Sequence, residues 1–118
     1  MRITTRVVEG VTILDLDGRL VAGVGDEALR EAVGPLLAGD GPPLLVNFSR
    51  VTSMDSSGIG ELVSAWKQAR RLGRRLAILR PGDRVRHTLH LSQILPLLEV
   101  YEDEPEAVAA LSEEAPLS

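Results

Sequence analysis

The chain has 118 residues, 44% of them hydrophobic, with no cysteine and a formal net charge of −4. That length fits one domain with a sizeable core, and the lack of cysteine excludes disulfides and thiolate metal sites. Aromatic residues make up only 3%, so the core is aliphatic and base stacking on aromatic side chains is disfavoured; no secretory leader pattern and no run of about 18 apolar residues is visible, which predicts a soluble, cytoplasmic protein with no membrane contact.

In chain order, residues 3–8 and 11–17 are β-rich runs joined by Glu9-Gly10, which predicts an antiparallel hairpin whose second strand, apolar on both faces, is interior. Gly18 to Gly25, with three glycines, predicts a loop. Asp26 is placed to cap a helix with Leu29, Ala32, Val33, Leu36 and Leu37 on one face, and Gly34-Pro35 predicts a kink or restart within it. After Gly39 to Pro43, the run Leu44 to Phe48 predicts a covered strand. Val51 to Gly60 then forms a turn into a second helix, whose apolar face is Ile59, Leu62, Val63, Trp66, Ala69 and Leu72 and whose end is capped by Gly73.

Leu76 to Leu79 predicts another short strand. Asp83 caps a third helix running from Arg84 toward Ser92 or Leu95, and Pro96 stops it. Leu97 to Tyr101 predicts a last strand, and Glu104-Pro105 opens a final helix with Ala107, Val108 and Leu111 inward. Strands and helices alternate after the hairpin through connections too short for antiparallel returns, so the later strands are expected to be parallel neighbours. The fold class is α/β: one domain over residues 1–111, a mixed sheet with an N-terminal hairpin and parallel strands, covered by about four helices, with residues 112–118 as a frayed tail.

The charges are segregated. Lys67, Arg70, Arg71, Arg74, Arg75, Arg80, Arg84 and Arg86 hold eight of the thirteen basic residues, and the last twenty residues are strongly acidic. Such asymmetry can steer a partner, but arginines closing a helix also complement its negative end, and a solvated helix terminus is the simpler reading.

Asp55-Ser56-Ser57-Gly58-Ile59-Gly60 carries the chemistry. The first N–H groups of a helix lack intrahelical partners and face partial positive charge. Asp55 or Ser56 can cap them, while Gly58 and Gly60 permit close approach of a partner or a neighbouring loop. The motif on its own is also an ordinary capping sequence. A serine hydrolase using Ser56 or Ser57 with His87 or His90 lacks the Gly-x-Ser-x-Gly elbow, and no carboxylate or cysteine cluster completes a metal site around those histidines. Nucleotide binding at Ser56 to Gly60, assisted by Arg80 or Arg84, lacks a Walker lysine and a full glycine pattern.

With the hairpin and Gly-rich loop before it, Met54-Asp55-Ser56-Ser57-Gly58-Ile59-Gly60-Glu61-Leu62 resembles the STAS domain of bacterial anti-sigma factor antagonists. Val46 to Val51 resembles the family's strand before the switch site, Ala69 to Leu76 its helix end and following strand, and Val100 to Ala107 its last strand and helix start, so the resemblance covers nearly the whole chain. It implies a non-enzymatic switch without a cofactor, phosphorylated at Ser56 (fallback Ser57) by a serine kinase that is also the anti-sigma factor. The unphosphorylated form binds that kinase and frees sigma factor; a PP2C-type phosphatase restores it. Asp55, Ser56, Ser57, Gly58 and Gly60 are the implied partner contacts, with no nucleic acid bound directly. Leu20-Val21-Ala22 departs from the polar loop of several members and suits an alternative: a STAS scaffold or transporter-associated subunit that is never phosphorylated.

Overall fold

In the computed structural model, which describes residues 1–112, the alternating N-terminal runs pair as a hairpin. Strand β1 (Arg2–Val8) runs antiparallel to β2 (Val11–Leu20), from Arg2 opposite Asp17 to Val8 opposite Val11. Glu9 and Gly10 both take positive φ, 48° and 79°, as a two-residue turn matched to strand twist requires. The remaining elements are α1 (Asp26–Leu36), β3 (Leu44–Met54), α2 (Ser56–Arg71), β4 (Leu76–Leu79), α3 (Asp83–Leu91), a 3-10 turn over Leu95–Leu97, β5 (Glu99–Tyr101) and α4 (Glu104–Ser112). The strands lie in the order β1-β2-β3-β4-β5, and β2 to β5 are mutually parallel. The sheet has the mixed topology that the sequence predicts.

Both faces of the sheet are apolar at its centre. Leu14, Leu16, Leu44, Val46, Phe48, Leu76 and Ile78 share a core with Leu29 and Val33 of α1, Leu62, Ala65 and Ala69 of α2, and Val85 and Leu89 of α3. Val11, Ile13, Leu45, Ala77 and Leu79 form a smaller core with Ala107, Val108 and Leu111 of α4. Beyond α4 this second face turns polar: Arg2, Thr4, Arg6, Asp15, Asp17, Asn47, Ser49 and Arg50 line an open depression of about 400 Å³. Sequence alternation encodes this, because the inward positions of β1, β2 and β3 change from aliphatic to polar along the strands.

Several boundaries differ from expectation. Strand β2 continues through Gly18, whose φ of 129° suits glycine, to Leu20, so the Gly-rich loop begins only at Val21. Strand β3 runs six residues past Phe48, and its register against β2 slips between Asp15 and Asp17 and again between Gly18 and Arg19. These bulges absorb extra residues and admit Ser49 and Arg50, which read as polar loop positions in sequence. Gly25 rather than Asp26 occupies the N-cap of α1, and the Asp26 carboxylate instead accepts the Gly23 and Glu27 N–H groups. Pro35 lies in the last turn of α1, which ends one residue later without restarting.

Gly82 rather than Asp83 is the N-cap of α3, the helix stops at Leu91, and Pro96 sits inside the 3-10 turn. That turn takes Leu97 out of the last strand, which begins at Glu99. Ser112 closes α4, and the rest of the expected tail, residues 113–118, lies outside the described residues. At the end of α2 the expectation holds: Gly73 has φ 68°, its N–H donates to the Arg70 carbonyl, and the Arg74 N–H donates to the Ala69 carbonyl. This is a Schellman closure.

The basic segment is only partly solvated. Arg74 is buried and donates to the carbonyls of Leu36, Gly39 and Pro42, satisfying the end of α1 and the loop before β3; burial lowers its pKa. Arg75 pairs with Glu99 and donates to the Ala110 carbonyl near the end of α4. At the start of α4, Arg6 forks between Asp15 (2.6 and 3.1 Å) and Glu104 (2.5 and 2.9 Å). Two arginines thus fasten α4 at its two ends, Arg6 at Glu104 and Arg75 at the Ala110 carbonyl. Leu111 and Ser112 border Gly10, Gly41 and Gly73, where the parallel strands begin.

The Arg6 guanidinium holds the carboxyl groups of Asp15 and Glu104 below their ordinary values, and Arg75 does the same to Glu99. A carboxyl group depressed in the folded state stabilises it above the unfolded pKa, and that contribution is lost as pH falls through the folded value. Urea unfolding is therefore expected to show stability declining once pH drops below about 4. An Arg6→Met variant is expected to be less stable at pH 7 and to show a shallower acid decline; an unchanged acid limb counts against Arg6 as the clamp.

Candidate functional site

The site forms where β3 ends and α2 begins, at the edge of the sheet carrying the strand C-termini. Asp55 has extended backbone (φ −114°, ψ −171°) and is the N-cap of α2. Its Oδ1 accepts the N–H groups of Ser57 (3.0 Å) and Gly58 (3.1 Å), while Oδ2 accepts the Ala22 N–H from the loop after β2 at 3.0 Å. One carboxylate therefore caps the helix and tethers the neighbouring loop. The N–H donors from Ala22, Gly58 and Ser57 favour the ionised form and lower its pKa. Of the two capping candidates in the sequence, Asp55 does the work.

Ser56 is the first residue of α2 and is exposed; Ser57 is half-buried. Neither hydroxyl makes a hydrogen bond among the described residues, so Ser57 contributes its backbone N–H to the cap rather than its side chain. The two glycines separate sharply. A Cβ on Gly58 would fall 2.2 Å from the Leu20 carbonyl oxygen and 2.8 Å from Leu20 Cγ, whereas one on Gly60 meets nothing within 4 Å. Gly58 lets α2 pack against the end of β2; Gly60 has no such duty.

This geometry counts against two alternatives. An anion cradle at the start of α2 is already filled, since the Ser57 and Gly58 N–H groups serve the Asp55 carboxylate. His87 and His90 are exposed on α3 and border a shallow depression with Asp83, Arg86 and Leu95, which contains neither serine. Among the described residues, no histidine is therefore placed to activate Ser56. Among the described residues no group of three or more His, Cys, Asp or Glu residues could hold a metal ion, and no helix is long and apolar enough to cross a membrane.

Sequence reasoning missed the Ala22 tether because it uses a backbone N–H, which leaves no residue signature. Its contribution can be isolated. An Asp55→Asn variant keeps one acceptor oxygen, enough for the helix start but not for both neighbours. It is expected to keep α2 folded while the Ala22 amide exchanges with solvent at least about tenfold faster by NMR. Unchanged protection of Ala22 would show that the loop is held by other means.

A five-stranded sheet with an N-terminal hairpin, helices on both faces, and a capped serine turn at the strand C-termini defines a small α/β domain. The family model of the STAS domain matches residues 2–107, and the chain belongs to that family. Among solved structures, an anti-sigma factor antagonist from Mycobacterium paratuberculosis superposes with TM-score 0.82 at 22% identity, covering 95% of this chain and 94% of its own. The Bacillus anti-sigma factor antagonist SpoIIAA in its unphosphorylated form gives TM-score 0.80 at 22% identity, covering 98% and 100%. A sulfate transporter family protein from Wolinella succinogenes gives TM-score 0.75 at 20% identity, covering 90% and 88%. At these identities the likeness establishes the fold.

Proposed function

We propose that the chain is an anti-sigma factor antagonist that works as a phosphorylation switch. The unphosphorylated form binds an anti-sigma serine kinase and frees sigma factor; phosphate on Ser56 ends that binding until a PP2C-type phosphatase removes it. The observation that carries this reading is the exposed hydroxyl of Ser56 at the first position of α2, beside the Asp55 carboxylate and without a hydrogen-bond partner or a histidine base among the described residues. Such a hydroxyl suits a substrate in another protein's active site. Phosphorylation adds about −1.5 to −2 charges where Asp55 is already negative, which repels a partner that reads this surface.

In this reading Asp55, Ser56, Ser57 and Gly60 meet the partner, Gly58 acts by seating α2, and Ser57 is the lesser acceptor because it is half-buried. The chain binds rather than catalyses, in the cytoplasm, as one domain over residues 1–111. A second reading, a scaffold or transporter-associated domain without a switch, draws on the apolar exposed loop at Ala22 to Val24 and on the likeness to the Wolinella protein. Incubation with a cognate anti-sigma kinase and ATP, followed by mass spectrometry, separates the two. Phosphate on Ser56 is expected; its absence from both Ser56 and Ser57 favours the scaffold.

A further inference from the structure

We propose that Met1 is a positioning residue for the candidate site, bracing the loop from Val21 to Gly25 so that the Ala22 N–H reaches the Asp55 carboxylate. For its effect on recognition this rests on the reading of Ser56 as phosphate acceptor; the bracing itself does not. Only the ends of the loop are packed, Val21 half-buried and Gly25 buried against Arg19 and Leu20, while Ala22, Gly23 and Val24 between them are exposed. Its internal bonds run mainly to the Val21 carbonyl, which accepts the N–H groups of Val24 and Gly25. These close the turn without fixing its distance from α2.

Met1 supplies a floor at both ends of the segment. A Cβ on Gly25 would lie 2.4 Å from the Arg19 carbonyl oxygen and 3.1 Å from both Leu20 Cα and the Met1 sulfur, and one on Gly18 would lie 3.3 Å from the Met1 Cα. Gly18 therefore leaves room for Met1, Gly25 is pressed between the end of β2 and the Met1 sulfur, and the Met1 side chain also packs on the larger core. The Met1 backbone nitrogen stands 3.5 Å from the Val24 carbonyl oxygen, on the exposed side of the same loop. An unbranched, polarisable thioether adapts to such an irregular slot. Shortening it leaves a gap beneath the loop rather than in the centre of the core.

The series then runs from Met1, which stands beside Gly25 and Val24, through the loop to Ala22, and from Ala22 to the Asp55 carboxylate next to Ser56. Nothing in this series needs a polar atom on residue 1, so a leucine of similar size should serve as well as methionine. An alanine should not.

The test uses the full chain released from a cleavable leader flush before residue 1, as wild type, Met1→Ala and Met1→Leu, with Asp55→Asn as the reference for a broken tether. In Met1→Ala the Ala22 amide is expected to exchange at least about tenfold faster, while Ile13 and Ile78 in the sheet keep their protection and Met1→Leu matches wild type. With the cognate anti-sigma kinase, KM for Ser56 phosphorylation is expected to rise about threefold at unchanged kcat, again restored by leucine. Full protection of Ala22 in Met1→Ala, or equal acceleration at Ile13 and Ile78, overturns the bracing role. A freed Ala22 amide with unchanged KM overturns the link to recognition. If wild type is not phosphorylated at all, the switch reading fails, and the amide measurement still decides the bracing.

Discussion

Replacing Gly58 by alanine is expected to lower stability by about 2–3 kcal/mol, whereas the same change at Gly60, two residues along the same helix, is expected to raise it by up to about 1 kcal/mol. The difference comes from what each Cβ meets. At Gly58 it runs into a backbone carbonyl of β2 at 2.2 Å and the Met54 side chain at 3.0 Å, and the carbonyl cannot move without breaking the strand end. The helix must shift outward, which opens the Asp55 cap and the Leu62 packing behind it. At Gly60 the methyl group points into open space, leaving only the gain in helix propensity. Thermal melts of the two variants should move in opposite directions; a common direction would mean that Gly58 does not set the distance between α2 and β2.

Ser56→Asp is expected to weaken binding to the anti-sigma kinase by at least about tenfold, or about 1.4 kcal/mol, while Ser56→Ala binds like the unphosphorylated wild type. A like charge on the partner about 4 Å from the new carboxylate costs about 1 kcal/mol in water and about 4 kcal/mol at a partly desolvated interface, and Asp55 already adds to the negative field on this surface. Stability separates this effect from unfolding. Ser56 is exposed and unbonded, and a carboxylate in the first helical turn is favourable by about 0.3–1 kcal/mol, so the aspartate variant should melt no lower than wild type. Calorimetric titration of both variants checks this: equal affinities would remove charge as the mechanism of switching.

The hairpin, the alternation of strands with helices and the inward faces of α2 and α4 were legible in the sequence because hydrophobic spacing reports burial directly. Leu62, Ala69, Val108 and Leu111 are buried as their spacing requires. The long end of β3 was not legible, since Ser49, Arg50 and Thr52 are exposed, and bulged pairing with β2 holds them in the sheet without any apolar rhythm. Arg74 was misread for a related reason. Composition assigns an arginine to solvent, but three carbonyls at the end of α1 and in the following loop leave acceptors that only a long cationic donor from another element could fill.

At the candidate site the serine motif was visible, and its division of labour was not. Asp55 and Ser56 were equivalent caps in one dimension; the extended backbone at Asp55 and the neighbouring Ala22 N–H decide between them. Gly58 and Gly60 were likewise indistinguishable until the strand end lay beside one of them.

The placement of α4 bears on how binding can be measured. Its last residues sit beside Gly10, Gly41 and Gly73, where the parallel strands start, while Ser56 stands at the far end of β3, an eleven-residue strand that spans roughly 35 Å. A surface anchor or fluorescent label attached at Ser112 therefore stands away from the serine, leaving that edge open to a docking protein. The same attachment ahead of β1 would crowd the slot over Gly18 and Gly25, and affinities recorded in that orientation would report the label together with the partner.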